Sequence, residues 1–253
     1  MSFTYTSVDD SSDPTAAADW QDRIDAWPMV RAYKARVQQL LSDGGLVLDV
    51  GCGTGGDLAA IGIDRTIGLD PSEVMCRRAA GRGGRVCRGD GHALPFASGS
   101  FAAARADRVL QHLNDPQAAL QELVRVVRPG GSIVLADPDQ ESLTIHVEGV
   151  PQALTDRVKA LRRDVGYRNG RLAGRLPALL TELGLVDVQV DGFALVLTDP
   201  ADAFGIATWP RNWRDRGVAD FEDHDLAQWE RAIAAGHGFV YSVAYFVVAG
   251  RLV

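Results

Sequence analysis

Short apolar runs alternate with amphipathic segments along the first half of the chain. The runs occupy residues 46–50, 66–69, 101–106 and 132–136. Each is short enough for a buried strand, and an aspartate stands in it or directly after it. Between the last two runs, Asp115 and Pro116 predict the N-cap and first residue of a helix. Strand and helix therefore alternate here, which favours a doubly wound parallel sheet.

The flanking segments complete this pattern. Apolar residues at helical spacing predict two leading helices over residues 19–43, joined at Pro28. Alternation predicts a sixth strand at residues 186–197. Residues 239–253 predict a last strand, antiparallel and at the sheet edge or one strand in from it. The predicted fold is α/β and Rossmann-like, with a seven-stranded, mostly parallel sheet, an antiparallel last strand and helical lid insertions.

One domain over residues 19–253 accommodates these elements, after a flexible Ser/Asp-rich tail at residues 1–18. Two long stretches, about 139–170 and 200–236, are predicted to be lid insertions, because loops of such length in compact domains often have functional roles. The second stretch is rich in aromatic side chains. These side chains form either the core of a small helical subdomain or one wall of a substrate pocket.

The strand at residues 46–50 leads into a turn with glycines at 51, 53 and 55. Glycine lets the backbone adopt positive φ and lets a ligand approach closely. The spacing Gly51-x-Gly53-x-x-Gly56 also fits a dinucleotide site, in which pyrophosphate lies on a helix N-terminus. Asp49 would repel pyrophosphate but can accept from an ammonium group, so a ligand with positive charge near the glycines is favoured. Cys52 is interpreted as a small residue that fits the turn.

Two further aspartates end the next predicted strands. Asp70 follows the glycines by about 20 residues, where a carboxylate can hold both ribose hydroxyls. Asp90 ends a third strand, at residues 85–90, and could accept from an exocyclic amine. Asp49, Asp70 and Asp90 would thus meet an amino acid, a ribose and an adenine in chain order. These three groups together describe S-adenosylmethionine.

Residues 46–137 resemble the class I S-adenosylmethionine-dependent methyltransferases, of the ubiquinone/menaquinone-biosynthesis and natural-product type. The matching motifs are Asp49-Val-Gly-Cys-Gly-Thr-Gly55, Gly68-Leu-Asp70-Pro71-Ser, Gly89-Asp90-Gly91-His-Ala-Leu-Pro-Phe96, Ala106-Asp107-Arg108-Val-Leu-Gln-His112-Leu113 and Val127-Arg-Pro-Gly-Gly131. The resemblance implies that Gly51 and Gly53 contact the methionine moiety and that Asp70, with Pro71 after it, lies at the ribose. It also implies adenine contacts at Asp90 and Gly91, and contacts with the methionine end near Asp107 and Arg108.

Composition excludes several other classes of protein. The net charge of −7 argues against a nucleic-acid partner, which needs clustered Lys and Arg. The three cysteines are an odd number without CxxC spacing, which favours a reducing, cytoplasmic location. No apolar run approaches the ~18 residues of a membrane span. No metal site is indicated by the histidine and cysteine spacing. The oligomeric state is open between monomer and homodimer.

Acceptor and catalytic residues are predicted outside the glycine turn. Trp27 and Arg31 of the leading helices would close over the cofactor, as the leading helix does in the enzymes that the chain resembles, with Arg31 facing the methionine carboxylate. Trp209 and Trp213 would form an aromatic wall for the acceptor. A hydroxyl or acidic carbon must lose a proton as it is methylated, so a general base is needed. His112 is the first candidate because imidazole titrates near neutral pH, and His146 is the second.

The predicted activity is methyl transfer from S-adenosylmethionine, leaving S-adenosylhomocysteine, to a small hydrophobic or aromatic metabolite of secondary or quinone-like biosynthesis. The acceptor atom is oxygen or carbon, with nitrogen less favoured. One alternative is a methyltransferase-like protein that binds the cofactor but acts as a cyclase or a binding protein. A more remote alternative is an NAD-dependent oxidoreductase, which would leave Asp49 and the Asp90 motif unexplained.

Overall fold

The structure is a computed structural model that describes residues 8–10, 13–42 and 44–253. Helices are α1 (Pro14–Asp25), α2 (Pro28–Leu40), α3 (Gly56–Ile61), α4 (Glu73–Gly81), α5 (Pro116–Val126), α6 (Gln152–Asp164), α7 (Leu176–Glu182), α8 (Trp209–Asp215) and α9 (Asp223–Ala235). Strands are β1 (Val47–Val50), β2 (Thr66–Asp70), β3 (Arg85–Arg88), β4 (Phe101–Asp107), β5 (Val127–His146), β6 (Leu185–Leu197) and β7 (Val240–Leu252). Within the described ranges, no helix is long and apolar enough to cross a membrane.

These strands form one sheet in the order β3-β2-β1-β4-β5-β7-β6. Strands β1 to β5 run parallel to one another. Strand β7 pairs antiparallel with both β5 and β6. The predicted fold class is therefore confirmed, and the last strand lies one position in from the edge. Strand order reverses around β1 and β4, where open parallel sheets bind ligands at the carboxyl ends of their strands.

Burial explains why these segments form the sheet. Every residue of β1 is buried, as expected for a central parallel strand covered on both faces. Val47 packs into a core with α2, α6 and the helices of the second insertion, whereas Leu48 and Val50 pack into a core with α5 and α7. Strand β4 uses alanines at 102, 103, 104 and 106, which let helices on both faces approach closely.

The leading segment differs from its prediction. Residues 1–7, 11 and 12 of the predicted tail lie outside the described residues, but helix α1 begins at Pro14, inside that tail. Asp13 caps the helix by accepting from the Ala16 N–H at 3.0 Å, and Ala17 and Ala18 are fully buried. Asp9 accepts from the Ser72 hydroxyl and from the Glu73 N–H, at the start of α4. A helix cap and apolar contacts thus order residues 13–18, which composition alone assigned to the tail.

The two predicted insertions are largely regular structure. Strand β5 continues to His146, so the first insertion begins with strand rather than loop. In the second, Trp229 is fully buried and its indole N–H donates to the Ile206 carbonyl at 3.0 Å. Trp213 is buried in the same core as the sheet. The aromatic residues therefore build a helical layer that is continuous with the main core.

Candidate active site

The turn after β1 has positive φ at its glycines and is tightly packed against neighbouring side chains. Gly51 and Gly53 have φ of +69° and +52°, which other residues rarely adopt. A Cβ on Gly51 would lie 2.3 Å from a methyl group of Val109, and one on Gly53 would lie 2.1 Å from the Gln21 amide. Glycine is therefore required at both positions, because the backbone has positive φ and because a Cβ would collide with a neighbouring side chain. Cys52 between them is buried, and burial raises the pKa of its thiol well above the usual value.

Asp70, at the end of β2, holds this turn in place. Its carboxylate accepts from the Gly53 N–H at 2.9 Å and from the Ser72 N–H at 2.9 Å. Burial raises the pKa of Asp70, although both hydrogen bonds oppose that shift. Each carboxylate oxygen keeps a further lone pair for a ligand hydroxyl. Pro71, next in the chain, is exposed beside it.

Asp90 remains open to solvent at the end of β3. Its side chain is 67% exposed, while its carboxylate accepts from the His92 N–H at 2.9 Å and lies 2.6 Å from the His92 ring. That backbone hydrogen bond lowers the pKa of Asp90. His92 in turn accepts from the Asp115 N–H at 3.3 Å, so it links Asp90 to the start of α5. Gly91 lies against Val50, and a Cβ there would come within 3.3 Å of it.

A buried cluster of charged side chains lies beneath the glycine turn, and sequence reasoning identified only part of it. Arg105, 1% exposed, lies 3.2 Å from Asp49, 2.9 Å from Asp57 and 3.0 Å from Asp107. Lys34 contacts Asp25 at 3.0 Å and Asp57 at 2.8 Å. We call this set the charge cluster; its members are Asp25, Lys34, Asp49, Asp57, Arg105, Asp107 and Arg108.

The charge cluster has four carboxylates and three cations, so it favours one more positive charge. Burial raises the pKa of Asp49 to about 7, with Arg105 opposing the shift and Asp57 and Asp107 adding to it. Asp57, by contrast, has a lowered pKa because Arg105 and Lys34 outweigh its own burial. A cationic ligand at the turn would stabilise the ionised form of Asp49.

Helix α1 and the start of α2 lie directly on the turn. The Thr54 hydroxyl donates to Asp22 at 2.6 Å, and Arg82 pairs with the same carboxylate at 2.7 Å. Arg31 is exposed on the rim of a cavity of about 310 Å³ that Lys34 and Gly56 also line. Trp27 meets the rings of Trp20 and Phe204 edge to face, with centroids 6.3 and 6.0 Å away. Trp27 therefore contacts the second insertion, and Arg31 stays near the turn.

A second group of side chains gathers beyond the end of β4. His112, in a 3₁₀ turn at Leu110–His112, has its ring 5.5 Å from that of Tyr167. Burial, then the positive charges of Arg162 and Arg108, lower the pKa of His112 to about 4. The imidazole is consequently neutral at pH 7 and can accept a proton. Arg108 directly follows β4 and has φ of +59°. Its guanidinium pairs with Asp25 and Asp107.

The other predicted acceptor residues separate in the structure. Trp209 lies beside this group, with the Arg162 guanidinium 4.1 Å above its ring. Trp209 and Trp213 are 7% and 6% exposed and pack in the same core with their ring centroids 6.1 Å apart, so neither offers a free wall. His146 is 59% exposed at the end of β5, with Nε2 3.7 Å from Glu148. His146 is therefore not brought to the site, because β5 carries it past the carboxyl edge of the parallel strands.

Sequence reasoning missed Lys34, Arg105, Arg162 and Tyr167. The signal for Arg105 was an arginine inside a run of alanines, which a buried strand tolerates only with carboxylates beside it. No comparable signal marked Arg162 or Tyr167. In the described ranges, no group of three or more His, Cys, Asp or Glu side chains could hold a metal ion.

The sequence of the chain is similar to those of known proteins. Residues 48–135 match a family described as a methyltransferase domain. The chain is 35% identical over 244 residues to an uncharacterised 37.1 kDa protein in transposon TN4556 of Streptomyces fradiae, covering 90% of this chain and 69% of that protein. It is 32% identical over 163 residues to an O-methyltransferase of Aspergillus sclerotiorum, covering 55% of this chain and 60% of the fungal enzyme.

Among solved structures, phosphoethanolamine N-methyltransferase 2 of Haemonchus contortus, in complex with S-adenosylhomocysteine, resembles the chain with a TM-score of 0.58. Identity is 15%, and the match covers 99% of this chain and 61% of that one. At this identity the similarity shows the fold alone, and it does not indicate the substrate of this chain.

Proposed function

The chain belongs to the class I S-adenosylmethionine-dependent methyltransferases, and on that premise we propose that it methylates an oxygen or carbon atom of a small hydrophobic or aromatic metabolite. The observation that carries the proposal is the juxtaposition of two differently charged sites. The charge cluster has an excess carboxylate beneath the glycine turn, whereas neutral His112 lies among aromatic rings and arginines beyond β4. The first suits a sulfonium cofactor, and the second suits a nucleophile that must lose a proton.

The residues at the turn fit S-adenosylmethionine. Gly51 and Gly53 keep the turn free of side chains, and Asp49 is one of the four carboxylates that give the charge cluster its negative excess. Asp70 would hold the ribose, Asp90 and Gly91 the adenine, and Arg31 the methionine carboxylate at the rim. The Gln21 amide now lies over Gly53, so we expect it to move aside or hydrogen-bond the cofactor.

Bound S-adenosylmethionine supplies an electrophilic methyl group on a positively charged sulfur. The protein's part is to align the acceptor with that methyl group, to exclude water and to take up the acceptor's proton. His112 would accept the proton on its imidazole, since its lowered pKa keeps it neutral. Trp27 and Trp209, which both contact Phe204 of the second insertion, would limit access of water.

Asp70→Ala is expected to weaken cofactor binding by about 1.5–3 kcal/mol, roughly ten- to a hundredfold. The substitution removes an acceptor for the ribose and frees the Gly53 N–H that fixes the turn. Calorimetric titration with S-adenosylhomocysteine measures the effect. Asp64→Ala, at an exposed aspartate just before β2, is the matched control and should bind normally. Equal affinity in both variants would remove Asp70 from the cofactor site.

Cofactor binding is expected to release a proton near neutral pH. In the free protein burial raises the pKa of Asp49 to about 7, and a bound cation would lower it again. Affinity should therefore rise with pH up to about 7, by at most about tenfold per pH unit for one proton. Titrations in buffers of different ionisation enthalpy measure the released proton. A buffer-independent heat and a flat affinity from pH 6 to 8 would contradict this coupling.

The proposal is tested by incubating the protein with methyl-labelled S-adenosylmethionine and a panel of small phenols, aromatic acids and activated carbon acids, and in a separate reaction with transfer RNA. Labelled methylated product is expected from at least one class of acceptor. Binding of the cofactor with no transfer to any of them would favour a cyclase or binding protein on the same fold. A labelled transfer RNA product would instead overturn the predicted exclusion of nucleic acid.

A further inference from the structure

Arg162 on α6 occupies an unusual place beside the proposed acceptor site. Its guanidinium carbon lies 4.4 Å from the ring centroid of Tyr167 and 4.1 Å from that of Trp209. One nitrogen donates to the Tyr167 hydroxyl at 2.7 Å. The guanidinium thus lies against two aromatic rings, which restricts its orientation.

Arg162 has no carboxylate partner within the described part of the chain. Its Nε is buried and finds no hydrogen-bond acceptor there. The next residue behaves differently, because Arg163 binds Asp164 through two nitrogens at 2.8 and 2.6 Å. A guanidinium normally satisfies a partly buried Nε–H with a carboxylate or a carbonyl. The Arg162 site therefore has an unmet requirement for a negatively charged or strongly accepting group.

The residues around Arg162 belong to the proposed acceptor site. Tyr167, on which it stacks, has its ring 5.5 Å from His112. Tyr241 of β7 is 1% exposed, and its hydroxyl lies beside the same guanidinium. Arg108, the other cation near His112, is already matched by Asp25 and Asp107. The acceptor side thus has an unmatched positive charge, in contrast to the charge cluster on the cofactor side.

We propose that Arg162 determines acceptor specificity by binding the carboxylate of a flat, aromatic methyl acceptor, whose nucleophilic atom then faces His112. The inference rests on the proposed function and narrows its substrate class to aromatic acids. A carboxylate matches the fork of a guanidinium with two parallel hydrogen bonds, and the partly exposed ring of Tyr167 provides flat apolar surface next to it.

The bound carboxylate would also change the basicity of His112. Two charged groups face His112, namely Arg162 from α6 and Arg108 just after β4. The ring of Tyr167, from the loop after α6, also lies beside it. Both arginines lower the pKa of His112. An anion on Arg162 would offset this field and strengthen the base when the acceptor is in place.

The test uses benzoate and its neutral counterpart benzamide as probes, with S-adenosylhomocysteine present. Ligand-observed NMR titration is performed on the wild-type protein and on Arg162→Gln, Arg162→Lys and Arg163→Gln, after their folding is confirmed by thermal unfolding. Wild type and Arg163→Gln should bind benzoate at least about tenfold more tightly than benzamide. Arg162→Gln should lose the preference, and Arg162→Lys should keep part of it.

A second readout is the histidine NMR titration of the wild-type protein, with His112→Gln used to assign the signal. Benzoate should move the His112 midpoint upwards, and benzamide should leave it unchanged. Equal binding of the two probes by the wild-type protein would overturn the inference, whether or not the variants fold. If S-adenosylhomocysteine binds but benzoate shows no preference, only the inference fails; if S-adenosylhomocysteine does not bind, the proposed function fails.

Discussion

Replacing His112 with glutamine is expected to lower the rate of methyl transfer by about 10²–10⁴-fold, with little change in cofactor affinity. Glutamine keeps polar atoms at the position but cannot take up the acceptor's proton. Because burial and two arginines lower the pKa of His112 to about 4, the imidazole stays neutral down to acidic pH. With an uncharged acceptor, the activity that depends on it should consequently fall as the pH decreases toward about 4, and not near the ordinary 6.5 of histidine.

His146→Gln is the matched control, because the His146 side chain is 59% exposed at the end of β5, where it lies 3.7 Å from Glu148. Its activity should equal that of the wild type. The rate of methyl transfer is measured with saturating cofactor over pH 4–9 for all three proteins. A His112→Gln enzyme with the wild-type rate, or an equal loss in both variants, would contradict the assignment of His112 as general base.

Arg105→Met should cost about 3–5 kcal/mol of unfolding free energy. Arg105 is 1% exposed and faces Asp49, Asp57 and Asp107 at 3.2, 2.9 and 3.0 Å. Methionine fills a similar volume, so the expected loss comes from three carboxylates that lose a shared buried cation. Lys34 still reaches Asp57, which leaves Asp49 as the group with least compensation.

Urea unfolding at pH 8, followed by tryptophan fluorescence, measures this loss. Arg77→Met is the matched control, since Arg77 is 73% exposed and only pairs with Glu73 one helical turn away. Such a surface pair contributes about 0–1 kcal/mol. The destabilisation by Arg105→Met should lessen at lower pH, because protonated Asp49 no longer needs the guanidinium. Equal free energies of unfolding in the two variants would show that Arg105 does not stabilise the charge cluster.

The fold was predictable because its signals are local. Asp49, Asp70 and Asp107 lie at or next to strand ends, and the positive φ predicted for the glycine turn is confirmed at Gly51 and Gly53. The same kind of signal predicted α5 from Asp115 and Pro116, and the cap and the first residue were confirmed. The equivalent pair Asp13 and Pro14 also begins a helix, but the polar composition around it suggested a tail.

The candidate site was less predictable because its charges meet only in three dimensions. Asp49 and Arg105 lie on adjacent parallel strands and are register partners, a pairing that depends on which strands are neighbours. Lys34 reaches the same carboxylates from a leading helix. Aromatic content likewise could not separate a core residue from a pocket residue: Trp209 and Trp213 are both buried in the core, and only the contact of Trp209 with Arg162 brings it near the candidate site.

The central claim is that the glycine turn and the charge cluster bind S-adenosylmethionine. Parallel calorimetric titration of the protein with S-adenosylmethionine, S-adenosylhomocysteine and NAD tests it most directly, since no acceptor needs to be known. S-adenosylmethionine and S-adenosylhomocysteine are expected to bind with dissociation constants of about micromolar order, and NAD is expected not to bind. Binding of NAD alone would contradict the account and make the glycine turn a dinucleotide site.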